Sequence, residues 1–190
     1  MSTLDDPIME EEKVTPGSVA IRFGLIGGLI LVALGLVAQI TGLVDMSDPQ
    51  STTNRIVNVL NYAIMIGIIV FAVKALKEGN GDIATFGSAF KTGFLTMLIV
   101  AAISVVWVLV YFGMIDPTLT DTIKDAAIER MVDQQGMAEE QAEQALGMMS
   151  WMFTPTGMAV MAGVGTVFMG AIFSLIVAAI MKKNPPESTM

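Results

Sequence analysis

Four long stretches of this chain contain no charged side chain, and their length limits what the chain can fold into. They cover residues 23–44, 56–73, 92–115 and 156–181, and each has 18 residues or more. A hydrocarbon core of about 30 Å is crossed by roughly 20 apolar residues of α-helix. The pattern predicts an all-α membrane protein with a four-transmembrane-helix bundle, whose spans lie at about 22–44, 56–74, 92–115 and 156–181.

Composition agrees with this class and excludes several others. Of the 190 residues, 54% are hydrophobic and the mean hydropathy is +0.69, which is too apolar for an ordinary water-soluble domain. Cysteine and histidine are both absent, which excludes disulfides, thiolate or imidazole metal ligands and most nucleophile or general-base schemes. The net charge of -8 argues against nucleic acid, because surfaces that bind nucleic acid are basic.

Orientation follows from the basic residues, since Lys and Arg accumulate at the cytoplasmic ends of spans. One side has seven and the other three, namely Lys13, Arg22, Lys74, Lys77, Lys91, Lys182 and Lys183 against Arg55, Lys124 and Arg130. Both termini are therefore predicted to be cytoplasmic. The acidic start lacks the basic region of a secretory signal, so we expect the first span to be retained. Residues 1–18 are predicted to form an acidic flexible tail, residues 19–183 the membrane domain and residues 184–190 a C-terminal tail.

The connection between spans three and four, residues 116–153, is predicted to form an extracytoplasmic amphipathic helical hairpin. Its first helix would end at Gly136. The apolar residues of the two helices recur at helical spacing, namely Leu119, Ile123, Ala127 and Met131 on the first and Ala138, Ala142, Ala145, Met149 and Met152 on the second. The inner connection repeats phenylalanine at the same spacing from Phe86 to Phe94. We expect that segment to lie in the membrane interface and to turn into span three at Gly93.

Amides and small residues give the spans their specific features. Asn54, Asn58 and Asn61 form a polar stripe on span two, and Asn61 lies at a similar depth to Gln39 of span one. We predict an amide hydrogen bond between Gln39 and Asn61; the alternative is a polar vestibule for a solute. Small residues form stripes at Gly24, Gly28, Gly35 and Gly42 and at Ala159, Gly163, Thr166, Gly170 and Ser174. They favour close packing within the bundle, with a homodimer seam as the alternative.

Three further groups of residues are candidates for a binding site or for contact with the membrane surface. Met148, Met149, Met152, Met158 and Met161 could bind Cu(I), but flexible apolar filler is the favoured interpretation. Asp121, Asp125 and Glu129 could bind a divalent cation, but no EF-hand pattern surrounds them and a solvated face is favoured. Trp151, Phe153, Tyr111 and Phe112 are predicted to form an outer aromatic belt. We assign no catalytic, cofactor-binding or metal-ligating residue.

Three segments carry a resemblance to a known family: GNGDIATFGSAFKTGF, QQGMAEEQAEQALGMMSWMFTP and IFSLIVAAIMKK. Together they resemble the bacterial four-span membrane-protein family called domain of unknown function 4199, over most of residues 18–183. The resemblance implies a bacterial cytoplasmic-membrane protein with four spans and a long third connection. It implies no activity and no functional residues.

The leading hypothesis is a non-enzymatic structural or accessory protein of the bacterial cytoplasmic (inner) membrane. Its partners would be the lipid bilayer and either a second copy of the chain or an envelope protein that contacts the acidic hairpin. The alternative is a small-solute transporter or channel subunit with an Asn-lined outer cavity. An integral-membrane enzyme ranks third, because clusters of histidine or buried carboxylates are missing. A cavity continuous through the bundle would favour transport, whereas a closed core with an exposed apolar face on the hairpin would favour partner binding.

Overall fold

The structure, a computed structural model, describes residues 14–44, 48 and 50–185. Within this part of the chain, six α-helices account for most residues: α1 (Pro16–Ile40), α2 (Thr52–Glu78), α3 (Phe86–Val110), α4 (Leu119–Gln135), α5 (Glu139–Met148) and α6 (Pro155–Met181). A π-helical turn, Tyr111–Ile115, continues α3, and a 3₁₀ turn, Ser150–Phe153, precedes α6. Most of the predicted N-terminal tail lies outside the described residues, but residues 16–18 belong to α1.

Hydroxyl residues determine where the four long helices begin. The side chains of Thr15, Ser51, Thr85 and Thr154 each accept a hydrogen bond from the backbone N–H three residues later. This satisfies one of the N–H groups that the first helical turn leaves without a partner. A proline in the first turn of both α1 and α6 adds to the signal, because its fixed φ suits a helix start.

The number of predicted spans is confirmed, and their ends differ from the prediction. Among the described residues, α1, α2, α3 with its π-helical turn, and α6 are long and apolar enough to cross a membrane. α1 begins at Pro16 and not near residue 22, and α2 extends to Glu78, because the capping residues lie beyond the uncharged stretches. α1 also ends at Ile40 and not at residue 44. Gly42 adopts a left-handed φ of 70° there, and the Leu43 N–H returns to the Ala38 carbonyl at 2.9 Å.

The predicted turn into span three at Gly93 is wrong. α3 begins at Phe86 and runs through Gly93 without a break, so Phe86 and Phe90 belong to the spanning helix. Gly93 is needed for packing: a Cβ there would lie 2.8 Å from Ile69 Cγ2 and from Ser174 Oγ. The glycine therefore allows α2 and α6 to approach α3 closely.

α3 is the central helix of the bundle. It packs against α1, α2 and α6, and its contact with α6 is the most extensive in the structure. α1 and α2 also touch, as do α2 and α6, whereas α1 and α6 lie across the bundle from each other without an extensive contact. The space between α1 and α6 must therefore be filled by other helices or remain open.

Close packing of small residues within the bundle is confirmed for half of the first stripe and for the glycines of the second. A Cβ at Gly28 would lie 2.5 Å from Ile103 Cδ1, one at Gly163 would lie 2.7 Å from Val105 Cγ2, and one at Gly170 would lie 2.5 Å from Met97 Cβ. These glycines bring α1 and α6 against α3. Gly35 is the exception within α1, because a Cβ there would have no neighbour within 4 Å.

The two ends of the bundle differ. At the closed end, which comprises Val14, residues 79–84, Lys182 and Lys183, chain segments from all four spanning helices meet. Asn80 Nδ2 donates to the Val14 carbonyl at 2.8 Å, and the backbone of Ala84 pairs with that of Lys183. An apolar core lies above it, with contributions from α2, α3 and α6 that include Ile69, Ala72, Val73, Leu76, Met97 and Val177.

The opposite end carries the predicted helical hairpin, formed by α4 and α5. α4 stops at Gly136 as predicted: its last residue is Gln135, and Gly136 caps it with a left-handed φ of 65°. On α5, Ala142 is buried as part of the predicted apolar stripe. Leu146 is also buried, although the predicted stripe did not include it. Met149, a member of that stripe, is exposed. Its exposure follows from its position after the end of α5.

Candidate functional site

A cleft opens in the half of the bundle nearest the hairpin. It consists of two adjoining cavities of about 480 Å³ each. Sites for small molecules commonly have volumes of about 300–1,000 Å³. The two cavities share part of their walls, so we treat them as one cleft; the shared residues are Gly35, Asn58, Asn61, Trp107 and Val108.

One wall of the cleft carries four amides. α1 supplies Gln39, and α2 supplies Asn54, Asn58 and Asn61, which lie on one face of the helix. Asn54 is only 6% exposed, and its Nδ2 donates to the Asp48 carbonyl at 2.8 Å. Asn54 is thus held in the structure of the loop, whereas Asn58 is exposed and Asn61 half-buried beside the open space.

The predicted hydrogen bond between Gln39 and Asn61 is wrong. Gln39 Oε1 is buried and has no hydrogen-bond partner in the described part of the chain. Both residues line the same cavity, so they lie at a similar depth, as predicted. A buried acceptor without a partner costs about 1–3 kcal/mol. A ligand that donates a hydrogen bond would therefore gain the most binding free energy at Gln39.

The opposite wall is aromatic. Trp107, Tyr111 and Phe112 line the cleft, and successive ring centroids are 5.7 Å and 5.4 Å apart. Tyr111 and Phe112 are 9% and 8% exposed, so their predicted place in an outer aromatic belt is wrong. The π-helical turn closes with Asp116 N–H bonded to the Tyr111 carbonyl at 2.9 Å. Both rings at the start of this turn are buried within the protein, while Trp151 stays exposed.

The cleft ends blindly inside the bundle. Its deeper cavity is bounded by Leu31, Met65, Val100 and Met169. Met65 and Val100 also belong to the apolar core above the closed end. Ile123 of α4 is part of the lining of the outer cavity. None of the described residues that line either cavity carries a charged side chain.

Most residues of the other candidate groups lie outside the cleft. Asp121, Asp125 and Glu129 are exposed, and the last two border a surface groove between α4 and α5. In the described ranges, no group of three or more His, Cys, Asp or Glu side chains is placed to hold a metal ion. Among the methionines, Met161 lines the cleft, whereas Met148 is 79% exposed.

The four apolar helices define the chain as a multi-pass helical membrane protein. More specifically, it belongs to the family described as protein of unknown function DUF4199, whose model matches residues 22–183. This confirms the resemblance noted in the sequence. No curated protein and no solved structure matches the chain. The family carries no assigned activity, so any function must be argued from the cleft.

Proposed function

We propose that this protein is a non-enzymatic accessory component of the bacterial cytoplasmic membrane and that it binds a ligand in its cleft. The blind end of the cleft carries the proposal. Below Met65 and Val100, the interior is filled by Ile69, Val73 and Met97, which have no exposed surface. A solute that crossed the bundle would have to separate this core, which is packed as densely as other protein interiors.

The neutral lining of the cleft also supports a binding role. Proton relays and many ion-coupled transporters use charged groups within the membrane, and enzymes need groups that transfer protons or attack a substrate. The cleft walls among the described residues carry amides, aromatic rings, aliphatic chains and the hydroxyls of Tyr62, Ser104, Thr166 and Tyr111, and no charged side chain lines the cleft beside these hydroxyls. Such a surface recognises shape and hydrogen-bonding groups.

The competing function is transport of a small uncharged solute, which the four amides favour. Flux of glycerol and urea into proteoliposomes that contain the purified protein separates the two functions. We expect flux equal to that of empty liposomes. Flux above that level that falls when Gly35→Leu fills the cleft would establish the transporter and overturn our proposal.

We also propose that both termini are cytoplasmic and the hairpin extracytoplasmic, as the distribution of basic residues indicates. The absence of cysteine allows a direct test. Gln135→Cys at the end of α4 and Asn184→Cys after α6 both replace exposed residues. A membrane-impermeant maleimide should label Gln135→Cys in intact spheroplasts and Asn184→Cys only after permeabilisation. The reverse pattern would show the opposite orientation.

The hairpin is the element we propose for contact with an envelope protein. Asp125, Glu129, Asp133, Glu139 and Glu143 line the groove between α4 and α5 and give it a negative charge. Affinity purification in mild detergent from native membranes should recover a partner with a basic surface. Its yield should fall when Glu139 and Glu143 are replaced by lysine, but not when the exposed Lys91 and Lys182 are replaced by glutamine. Equal recovery with both variants would exclude the hairpin as the contact.

A further inference from the structure

We infer that the cleft binds one uncharged amphipathic lipid, with its aliphatic chain in the deeper cavity and a hydroxyl that donates a hydrogen bond to Gln39 Oε1. This inference rests on the proposed binding function and names its ligand. The preferred class is a single-chain neutral lipid with a free hydroxyl, such as a monoacylglycerol.

The charge of the ligand follows from the lining of the cleft. A phosphate or ammonium group buried here would meet no opposite charge among the described residues of either cavity. Burial of an unpaired ion is far more costly than burial of a hydrogen-bonded neutral group. The cleft therefore selects against charged headgroups.

The polar group of the ligand follows from Gln39. Its Oε1 accepts hydrogen bonds only, is buried, and lacks a donor. A hydroxyl supplies that donor, whereas an ester carbonyl or an ether oxygen does not. The nearby amides of Asn58 and Asn61 can donate to the other oxygens of a glycerol-like head.

The apolar part of the ligand follows from the aliphatic residues of the deeper cavity. Gln39 and Asn54 line the outer cavity alone, and Asn58 and Asn61 line both. Most of the other residues of the deeper cavity are apolar, among them Leu31, Val32, Met65, Val100 and Met169. An aliphatic chain gains about 0.8 kcal/mol for each methylene that it removes from water. A molecule with one polar end and one chain therefore matches the cleft better than a small fully polar solute does.

The route of entry favours a ligand from the bilayer. Gly35 is exposed on α1 and borders both cavities. Leu34 and Val37, its neighbours on the outer surface of α1, are large exposed apolar residues, as expected of a lipid-facing surface. A side chain at Gly35 would meet no other atom within 4 Å. The cleft is thus open beside a surface that lipids cover.

Trp107 in the cleft wall allows a direct binding test. The sequence holds two tryptophans, so Trp151→Phe leaves Trp107 as the only indole. This protein would be placed in phosphatidylcholine nanodiscs with a monoacylglycerol brominated on its chain, which quenches nearby tryptophan. We expect saturable quenching at low mole fraction. The brominated methyl ester of the same chain, which has no hydroxyl, should bind at least about five- to tenfold more weakly, because it cannot donate a hydrogen bond to Gln39 Oε1.

Two variants and one control complete the experiment. Gly35→Leu should abolish the saturable quenching, whereas Gly67→Leu should not, since Gly67 also has open space within 4 Å but does not line the cleft. Gln39→Met should weaken the binding of the brominated monoacylglycerol and leave that of the methyl ester unchanged, so that the difference in affinity between the two probes becomes smaller. Circular dichroism and size-exclusion chromatography establish that each variant is folded.

The possible outcomes test the lipid inference and the proposed function independently of each other. Quenching that rises linearly with mole fraction, is equal for both probes and is unchanged by Gly35→Leu would overturn the lipid inference, even if the proteoliposomes show no flux. Saturable binding of the methyl ester alone would also overturn it. Glycerol flux would overturn the proposed function itself.

Discussion

Ala84 and Lys183 exchange two backbone hydrogen bonds, of 3.1 Å from Ala84 N to Lys183 O and 2.7 Å from Lys183 N to Ala84 O. They join the residue before the cap of α3 to the chain just beyond α6. The Lys183 side chain also donates to Asp82, and Lys77 Nζ lies 3.5 Å from Asp82 Oδ1. The closed end is therefore fastened by contacts between segments about 100 residues apart, since Asp82 and Lys183 are separated by 101 positions.

The first prediction concerns how the contacts of Asp82 with Lys183 and Lys77 depend on pH. The hydrogen bond from Lys183, followed by the charges of Lys183 and Lys77, holds the pKa of Asp82 below its usual value. Because the pKa is lower in the folded state, the stabilisation is complete above the ordinary aspartate pKa and is lost as pH falls through the lowered value. Asp82→Asn should lower the melting temperature in detergent at pH 7, and the difference should disappear in strong acid.

The control for Asp82→Asn is Asp121→Asn, which changes an exposed carboxylate on α4. We expect it to leave the melting temperature of the bundle nearly unchanged at either pH. The effect of Asp82→Asn should be small, because solvent screens an exposed ion pair. A difference between Asp82→Asn and the parent protein that grows as pH falls would contradict the assignment.

The second prediction concerns the close approach at Gly93. Gly93→Ala places a methyl group 2.8 Å from Ile69 Cγ2 and Ser174 Oγ, and overpacking of this kind costs about 1–3 kcal/mol. The better helix propensity of alanine offsets up to about 1 kcal/mol. We expect net destabilisation, measured by titration with sodium dodecyl sulfate. Gly67→Ala, which meets no atom within 4 Å, should be neutral or stabilising, and equal effects of the two changes would refute the packing argument.

The third prediction contrasts two amides. Gln39→Met removes a buried acceptor that has no partner and should stabilise ligand-free protein by about 1 kcal/mol. Asn80→Leu removes hydrogen bonds to the Val14 and Leu76 carbonyls, both of 2.8 Å, and should destabilise it by about 1–2 kcal/mol. Thermal unfolding in detergent measures both. Destabilisation by Gln39→Met would mean that its oxygen has a partner in solution.

The fourth prediction concerns the hairpin. Leu146 is 2% exposed, and Leu→Ala changes at buried sites cost about 2–5 kcal/mol. Leu146→Ala should therefore speed proteolysis between α4 and α5 while the spanning helices melt as before. Met148→Ala, at an exposed position in the same helix, serves as the control. Cleavage at the parental rate in Leu146→Ala would show that the hairpin does not depend on this contact.

The sequence predicts features that depend on one helix and fails on features that depend on two. Hydropathy is a property of each segment, so the four spans were found, and Gly136 was found because a helix stop is local. The depth of Gln39 and Asn61 was also estimated, but the lateral distance between them is set by how α1 and α2 pack, so their hydrogen bond was wrongly predicted. Tyr111 was placed at the lipid surface because its burial depends on neighbouring helices.

Only part of the cleft could be anticipated. The repeat of asparagine on α2 indicated a polar face, and a polar vestibule was one interpretation. Trp107 was missed, although its spacing of four residues from Tyr111 places both rings on one face of α3. The blind end depends on residues of several helices that look alike in sequence, so no local pattern could predict it.

α1 is packed unevenly along its length. A Cβ at Gly24, Gly27 or Gly28 would lie 2.7, 2.7 or 2.5 Å from Ile99, Ile68 or Ile103, so these turns lie directly against α2 and α3. Further along the helix, a Cβ at Gly35 would meet no atom within 4 Å. We therefore expect larger side chains to be accommodated at Gly35 but not at the three earlier glycines.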